Sequence, residues 1–590
     1  MLHWKNKEQG SGVGRSMTVC ELRYKFLAVL LLLAVWAPQA DASEAANPAV
    51  SPVAPEVQQQ PDPLEQRSTV LEVPPPGTES ESSILPLTRD GAILTGLAGN
   101  RFIEIAAFAP DIAATFTDEA RADFDPRLLG QISTGRVTAD TGNLEVSTGS
   151  ATSSGSASGG ADALIQRVQR LNRSLAALNR EDNAGVRTNA GSLELQQFLP
   201  TGTRLFLTGA AVEESRDGEG VRDTWTIGVS QPLLQGGSKR ANLAALRQAR
   251  NVQAQSEQEF RLNVMDVVRQ IEVAYWDLTL AMDVLAIREF GVRLAEEQMR
   301  REQELRSVGK ALQGDVITAG AERAAREADL ADARAAVDSR TIELIRLMRP
   351  SDTPRWDLRF TPQDAAEVVE VNPTPAESAA LALQARPELM QARLGLENLD
   401  LDVLRARNGR LPRLDVVGTY GEGRGTSLLT NTNADDGENY SIGLEFETGL
   451  PNRAENARYR RAQLERRRGG SLLAQLEEDI AAEVRQAIVE VRRQWQRVVA
   501  TSEEVLSREE SLRVVQGRRD VGMATNLDVL QVERDFIEAR VNDATARVQY
   551  VQALTALYMT EGSLLERRGI SMASVATRET PLGRPTYDVE

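Results

Sequence analysis

Between Phe260 and Leu285 the apolar positions recur at alternating steps of four and three: Phe260, Val264, Val267, Ile271, Ala274, Leu278, Ala281 and Leu285. That is a heptad seam, the pattern of a helix that supercoils against neighbours. A second seam carries Leu473, Ile480, Val484, Ala487, Val491 and Val498, with Glu477 and Gln494 interrupting the stripe. If helix runs unbroken from about Ser238 to Arg306, it is roughly 100 Å long at 1.5 Å per residue. Several globular-domain diameters fit into that length, so the spacing predicts an extended bundle or tube.

The two seams belong to a repeat. Val308-Gly309 followed by Asp315-Val316 returns as Val521-Gly522 followed by Asp528-Val529, and in the same register Asp266 matches Asp479 and Ala274 matches Ala487. This reads as a duplicated helical hairpin. Shorter helical stretches, about Leu87 to Arg121 and Ala376 to Arg407, also match, but at a larger offset. The first half therefore carries an insertion within residues 126–236. It includes the Gly/Ser run TGSATSSGSASGG at 148–160, a flexible loop by composition, and a short helical candidate, ADALIQRVQRLNRSLAALNR.

Period-two segments lie between the helices. Tyr440, Ile442, Leu444 and Phe446 alternate with Ser441, Gly443, Glu445 and Glu447; Trp225, Ile227 and Val229 alternate with Thr224, Thr226 and Gly228. Leu414, Val416 and Tyr420 form a third candidate strand, and Leu193 to Ala211, interrupted at Pro200-Thr201-Gly202, a fourth. One apolar face and one small or acidic face fit a membrane barrel with a wet lumen, and fit equally a half-buried sheet in a soluble domain. Four strands cannot close a membrane barrel, so the first reading requires several chains to share one.

Composition narrows the chemistry. The 590 residues are 4 % aromatic and 26 % charged, which favours long amphipathic helices over one large core. With Met17 as start, Arg23 and Lys25 precede an apolar run from Phe26 to Ala37 and then Ala40-Asp41-Ala42, a secretory signal over 1–42 cleaved before Ser43. The only cysteine, Cys20, and the only histidine, His3, fall in the discarded segment. The mature chain then offers no thiolate or imidazole for nucleophilic or zinc chemistry, and no catalytic residue, metal site or cofactor is expected. Removal of the leader moves the formal net charge from −17 to about −19, so nucleic acid is not an expected partner. The arginines of ARYRRAQLERRR at 457–468 read as a solvated helix face, and Glu445 with Glu447 form no sugar cleft. Residues 43–85, rich in proline, should form an extended tail without a fold.

Several segments together resemble the TolC-type outer-membrane efflux family: QPLLQGG at 231–237, IEVAYWDLTLA at 271–281, ARNGRLPRLDVVGTYG at 406–421, LPNRAENARYRRAQ at 450–463, VGMATNLDVLQVERD at 521–535 and ALTALYMTEGSLLERRGI at 553–570. The resemblance covers roughly residues 86–562. It implies an α+β membrane protein in which a duplicated helix-strand-strand-helix-helix unit forms a trimeric 12-stranded β-barrel continued by a long α-helical coiled-coil periplasmic tunnel. The units would occupy 86–348 and 376–562, with an equatorial linker at 349–375 and a C-terminal periplasmic tail at 563–590. The implied function is a passive export duct across the outer membrane of a Gram-negative cell, a homotrimer embedded in outer-membrane lipid. Its partners would be a periplasmic adaptor (membrane fusion protein) and the inner-membrane pump of a tripartite efflux or type I secretion system.

Residue roles follow from the turns. Gly309 and Gly522 sit where a left-handed residue closes a helix end, and Thr525 with Asp528 has capping-box spacing. By the resemblance, Val308, Gly309, Val521 and Gly522 are hairpin tips where an adaptor docks; turn geometry alone also accounts for them. Asp315 and Asp528 would stand at the tunnel entrance, where three copies of Asp528 form a cation-attracting ring, although helix capping explains Asp528 as well. A second family aspartate is Gln531 here, and the arginine that ties the tips in the family is replaced by Ala524, leaving Arg518 or Arg519 as substitutes. The competing function is a soluble periplasmic coiled-coil scaffold or adaptor; a carboxylate hydrolase stands further off.

Overall fold

The computed structural model describes residues 84–137, 186–215, 219–309, 311–349, 356–366, 368–427 and 432–572. The leader, most of the proline-rich tail, the Gly/Ser run, the short helical candidate after it and residues beyond 572 lie outside these. Two helices run nearly the whole length of the chain's helical layer: α3 (Ala244–Ser307, 64 residues) and α7 (Arg453–Asp520, 68 residues). At 1.5 Å per residue each is roughly 100 Å long. Two shorter helices, α2 (Arg101–Ala122) and α6 (Pro387–Gly409), flank them on the sheet side, so that the packing order there is α2, α3, α6, α7. Towards the far end α4 (Gln313–Met348) packs on α3, and α8 (Asn526–Glu561) packs on both α7 and α3.

The predicted seams are the buried faces. Phe260, Val264, Val267, Ile271, Ala274 and Leu278 are buried in one core cluster with Leu344, Ile345 and Met348 of α4. Ile480, Val484 and Val491 join Tyr550 and Leu557 of α8 in a second. Gln494, which seemed to break the stripe, is itself buried and donates to Glu490 Oε1 at 2.8 Å. Beyond Leu278 the first seam loosens, and full burial passes to Ile287, Gly291 and Val292.

Two helices, α1 (Arg89–Gly99) and α5 (Pro375–Ala385), belong to an equatorial layer with the parallel pair β1 (Ile84–Leu87) and β6 (Arg359–Pro362). Tyr275 Oη donates to Asp364 Oδ2 at 2.9 Å, and Tyr550 Oη to the Val369 carbonyl at 2.8 Å, so one tyrosine from α3 and one from α8 fix the linker to the long helices. Two expected boundaries shift here. Ile84 and Leu85 are strand rather than tail, because pairing with residues 359 and 360 satisfies their backbone. Residues 563–572 are likewise no tail: Leu564 and Leu565 are buried in the core, and Arg568 forms an ion pair with Glu272, a carboxylate that is wholly buried.

The expected four strands per chain become six. β2 (Arg127–Val137), β3 (Val186–Phe198), β4 (Arg204–Ser215), β5 (Glu219–Pro232), β7 (Arg413–Ser427) and β8 (Thr432–Glu447) form one antiparallel meander in that order. The helix-strand-strand-helix-helix unit thus holds for the second half, whereas the first half has four strands between its helices. The fourth candidate is in fact two strands. Pro200-Thr201-Gly202 turns the chain back on itself, Gly202 lying at φ 84° with its N–H on the Leu199 carbonyl at 2.8 Å. A Cβ there would also come within 2.1 Å of the Gly236 carbonyl oxygen, so only glycine fits.

Register assigns each side chain to a face. Leu128 and Ile132 of β2, Leu193 and Leu195 of β3, Leu205 and Leu207 of β4, and Trp225, Ile227 and Val229 of β5 share one face with Leu414, Val416 and Tyr420 of β7 and Tyr440, Ile442, Leu444 and Phe446 of β8. The other face presents Gln131, Ser133, Ser192, Glu194, Gln196, Thr208, Thr226, Thr419, Ser441 and Glu445; its apolar exceptions include Leu129, Phe206, which covers Gly228, and Phe198, which stacks on Phe124. Tyr420 lies opposite Tyr440 and 5.5 Å from Trp225 between ring centroids, an aromatic level of the kind that marks a lipid–water boundary. Among the described residues no single helix is long and apolar enough to cross a membrane; only the bent pair α1–α2 reaches that length and composition.

Candidate functional site at the helix tips

Each long helix ends at the turn the repeat predicts. After α3, Gly309 has φ 73° and bonds the Arg306 carbonyl at 2.9 Å; after α7, Gly522 has φ 76° and bonds the Arg519 carbonyl at 2.8 Å. An added Cβ would meet nothing within 4 Å at either glycine. The requirement is conformational, since the left-handed region costs other residues roughly 1–2 kcal/mol.

The returning helices are capped unequally. Asp528 Oδ2 accepts from the Thr525 hydroxyl at 2.7 Å and from the Thr525 amide at 2.8 Å, while the Asp528 amide donates to Thr525 Oγ1 at 3.2 Å. This is a complete capping box. The hydroxyl and then the amide of Thr525 hold the Asp528 carboxyl below the usual aspartate range. At the first tip Asp315 Oδ2 accepts from the Leu312 amide at 2.9 Å, but Leu312 has no side-chain acceptor to answer it. Both aspartates therefore act as caps within the chain.

Around the caps lies an apolar surface. Val308, Leu312, Ile317, Val521, Met523 and Leu527 are between 61 and 78 % exposed. The second tip is tied to the first through α3, because Gln298 Nε2 donates to Asn526 Oδ1 and Arg519 forms an ion pair with Glu302. Arg519 is thus committed to Glu302 within the chain rather than to Asp315, and Gln531 donates to Asp535 Oδ1 at 3.4 Å.

Sequence reasoning missed the charged cluster just inside these tips. Glu302, Gln298, Glu533 and Arg326 are all buried, where four helices meet. Arg326 pairs with Glu322 at 2.8 Å, and Glu322 with Arg534 at 2.7 Å. Burial raises the Glu533 carboxyl to about 7, despite the lowering influence of Gln516, Arg519, Arg326 and Arg301. Arg519 Nη1 is buried without a hydrogen-bond partner among the described residues. The signal was present: continuing the first seam at three and four places past Gly291 leads through Ala295 to Gln298 and Glu302.

The model of the outer membrane efflux protein family matches residues 208–348 and 379–563, more than half of the chain. Outer membrane efflux protein BepC of Brucella suis biovar 1 (strain 1330) is 26 % identical over 369 residues, covering 61 % of this chain and 76 % of that protein. Proteases secretion protein PrtF of Dickeya chrysanthemi is 23 % identical over 361 residues, 59 % of this chain and 74 % of that one. Among solved structures, the outer-membrane channel OprN shares the fold at a TM-score of 0.56 and 17 % identity, over 80 % of this chain and 90 % of its own.

Proposed function

Because this chain belongs to the outer membrane efflux protein family and is an outer-membrane channel component, we propose that three copies share one barrel in the lipid and continue it as a helical tunnel into the periplasm. The apolar face of the sheet meets lipid, and the polar face lines the lumen. Each chain ends, roughly 100 Å from the sheet, in two tips whose exposed Val308, Leu312, Val521 and Met523 receive a periplasmic adaptor. An inner-membrane pump supplies the cargo and the energy. The names of relatives include both efflux and protease secretion, so either class of cargo suits a passive duct.

The observation that carries this reading is the pairing of a sheet face that is apolar over most of its middle, interrupted by Gln197, Gln231 and Glu422, with an exposed apolar tip surface at the other end. A periplasmic scaffold has no use for the first. Asp315 and Asp528 stand at the entrance of the tunnel, where three copies of each concentrate negative charge while still serving as caps. A 12-stranded barrel would need four strands per chain, and each chain brings six to the meander. On the same reading residues 1–42 are a secretory leader and the mature chain begins at Ser43.

The test is fractionation combined with cross-linking. A photo-reactive residue at position 521 should capture an adaptor in intact cells, and the protein should stay with the outer membrane after a high-salt wash. Recovery in the soluble periplasmic fraction would reject the duct, and adaptor capture only from positions on the sheet would reject the tips.

A further inference from the structure

We propose that the barrel closed by three chains is eighteen-stranded, with the β3–β4 hairpin built into its wall; this rests on the shared-barrel reading above. The hairpin is continuous with the rest of the sheet on both sides, hydrogen-bonded from Arg187 to Ser215 internally and along β4–β5. Its faces agree with those of its neighbours: Leu193, Leu195, Leu205 and Leu207 lie on the apolar side, and Ser192, Glu194, Gln196 and Thr208 on the polar side. A plug folded into the lumen, or a flap outside the lipid, would have no reason to keep that polarity in register across six strands. Its turn is also clamped to the segment just ahead of α3, since Asn242 Nδ2 donates to both the Pro200 carbonyl at 3.0 Å and the Gly236 carbonyl at 2.8 Å. The match to the family begins only at Thr208, inside β4, which leaves β2 and β3 outside the shared pattern.

The sheet and the helical layer below it also fit in width. Four helices side by side at about 9 Å occupy ~36 Å of circumference per chain. Six strands spaced ~4.8 Å and tilted ~40° occupy ~37 Å, whereas four would occupy ~25 Å. The six-stranded sheet therefore continues the tunnel without a constriction, and makes the barrel about one and a half times as wide as a twelve-stranded one.

Closure follows from the edges. β2 and β8 run in opposite directions at the two ends of the meander, so β8 of one copy can extend antiparallel onto β2 of the next. Beneath β2, α2 exposes Phe102, Ile105, Ile112 and Phe116, and beneath β8, α7 exposes Leu464 and Leu472. These two flanks are unlike each other, as a head-to-tail ring requires. An even strand total keeps every seam antiparallel.

Native mass spectrometry of detergent-purified protein gives the copy number, and end-on electron microscopy of the same particles counts the strands. Three copies with eighteen strands are expected. Three copies with twelve strands would overturn the proposal while leaving the shared duct standing; any other copy number would overturn both. A pair of variants gives an independent reading. Leu207→Arg should reduce assembled protein in the outer membrane at least tenfold, and Thr208→Arg, one residue along but facing the lumen, should leave it within twofold of the parent. Equal tolerance of both would remove the hairpin from the wall.

Discussion

In the first half of the chain a 64-residue helix is followed by one of 36 residues, and in the second a 68-residue helix is followed by one of 36; yet four strands of the meander lie ahead of the first long helix and two ahead of the second. Helix length is fixed by neighbours. A long packed seam, and tips that must meet for Arg519 to reach Glu302, hold the two long helices to within four residues of the same length. Strand number is free in steps of two, because an inserted hairpin returns the chain to the same end of the sheet with its direction unchanged. Duplication has therefore been conserved in the layer that needs matching and relaxed in the layer that does not. The same contrast recurs at the tips, which share glycine geometry but differ in caps and in buried partners.

The largest expected effect breaks the asymmetry between tips. Arg519→Ala leaves Glu302 buried without its cation, which typically costs about 3–5 kcal/mol. Since Arg519 and Asn526 are the links from the second tip to α3, amide exchange over residues 516–530 should accelerate a hundredfold or more while residues 308–320 change much less. Equal acceleration at both tips would mean that they move as one body. Next come the glycines, where the two tips should behave alike: Gly309→Val and Gly522→Val each force a β-branched residue into the left-handed region, at about 1–2 kcal/mol or somewhat more. Both variants should assemble in the outer membrane and lose most export of a reporter substrate. Full export by Gly522→Val would leave turn geometry as that residue's whole role.

How much of this could be read from the sequence depended on how much each feature relies on periodicity. Phe260 to Leu278 and Ile480 to Val491 announced themselves because long helices repeat one contact many times. β2 did not, since Leu128 and Leu129 are adjacent and Gly130, Ser133 and Gly135 dilute the alternation; its place in the sheet comes from its partner β3. β3 and β4 looked like one interrupted strand because a hairpin turn of Pro-Thr-Gly resembles a break until register is known. The buried charges were hidden for a different reason. Gln298 and Glu302 occupy seam positions, but polarity there looks like the end of a seam rather than its continuation by a hydrogen bond and an ion pair to residues more than two hundred places away.

A smaller effect follows from Glu533, which belongs to the second half only; its repeat partner is Gly320. Its carboxyl is raised from 4.5 to about 7, so the folded tip favours the neutral form. The contribution to stability is complete below the unfolded value and is lost as pH rises through about 7. Exchange protection near residue 533 should accordingly be greater at pH 5 than at pH 8, with Glu533→Gln flattening the dependence and residues near 320 showing none of it. A slope of the opposite sign would mean that the surrounding arginines, rather than desolvation, dominate the site.

The smallest effect sharpens the comparison most, because it separates stability from docking. Thr525→Ala removes a cap that holds Asp528 on both sides, at about 1 kcal/mol, whereas Leu312→Ala removes no cap hydrogen bond. Leu312→Thr should supply a side-chain acceptor for the Asp315 amide, which donates to the Leu312 carbonyl at 3.2 Å, and stabilise the first tip by up to about 1 kcal/mol. It also replaces an exposed apolar side chain within the surface assigned to the adaptor. If the tip keeps leucine for the sake of a partner, Leu312→Thr should raise exchange protection at residues 312–316 and at the same time weaken adaptor cross-linking. A gain in both would show that the unequal caps are an accident of duplication, with no partner selecting for the weaker one.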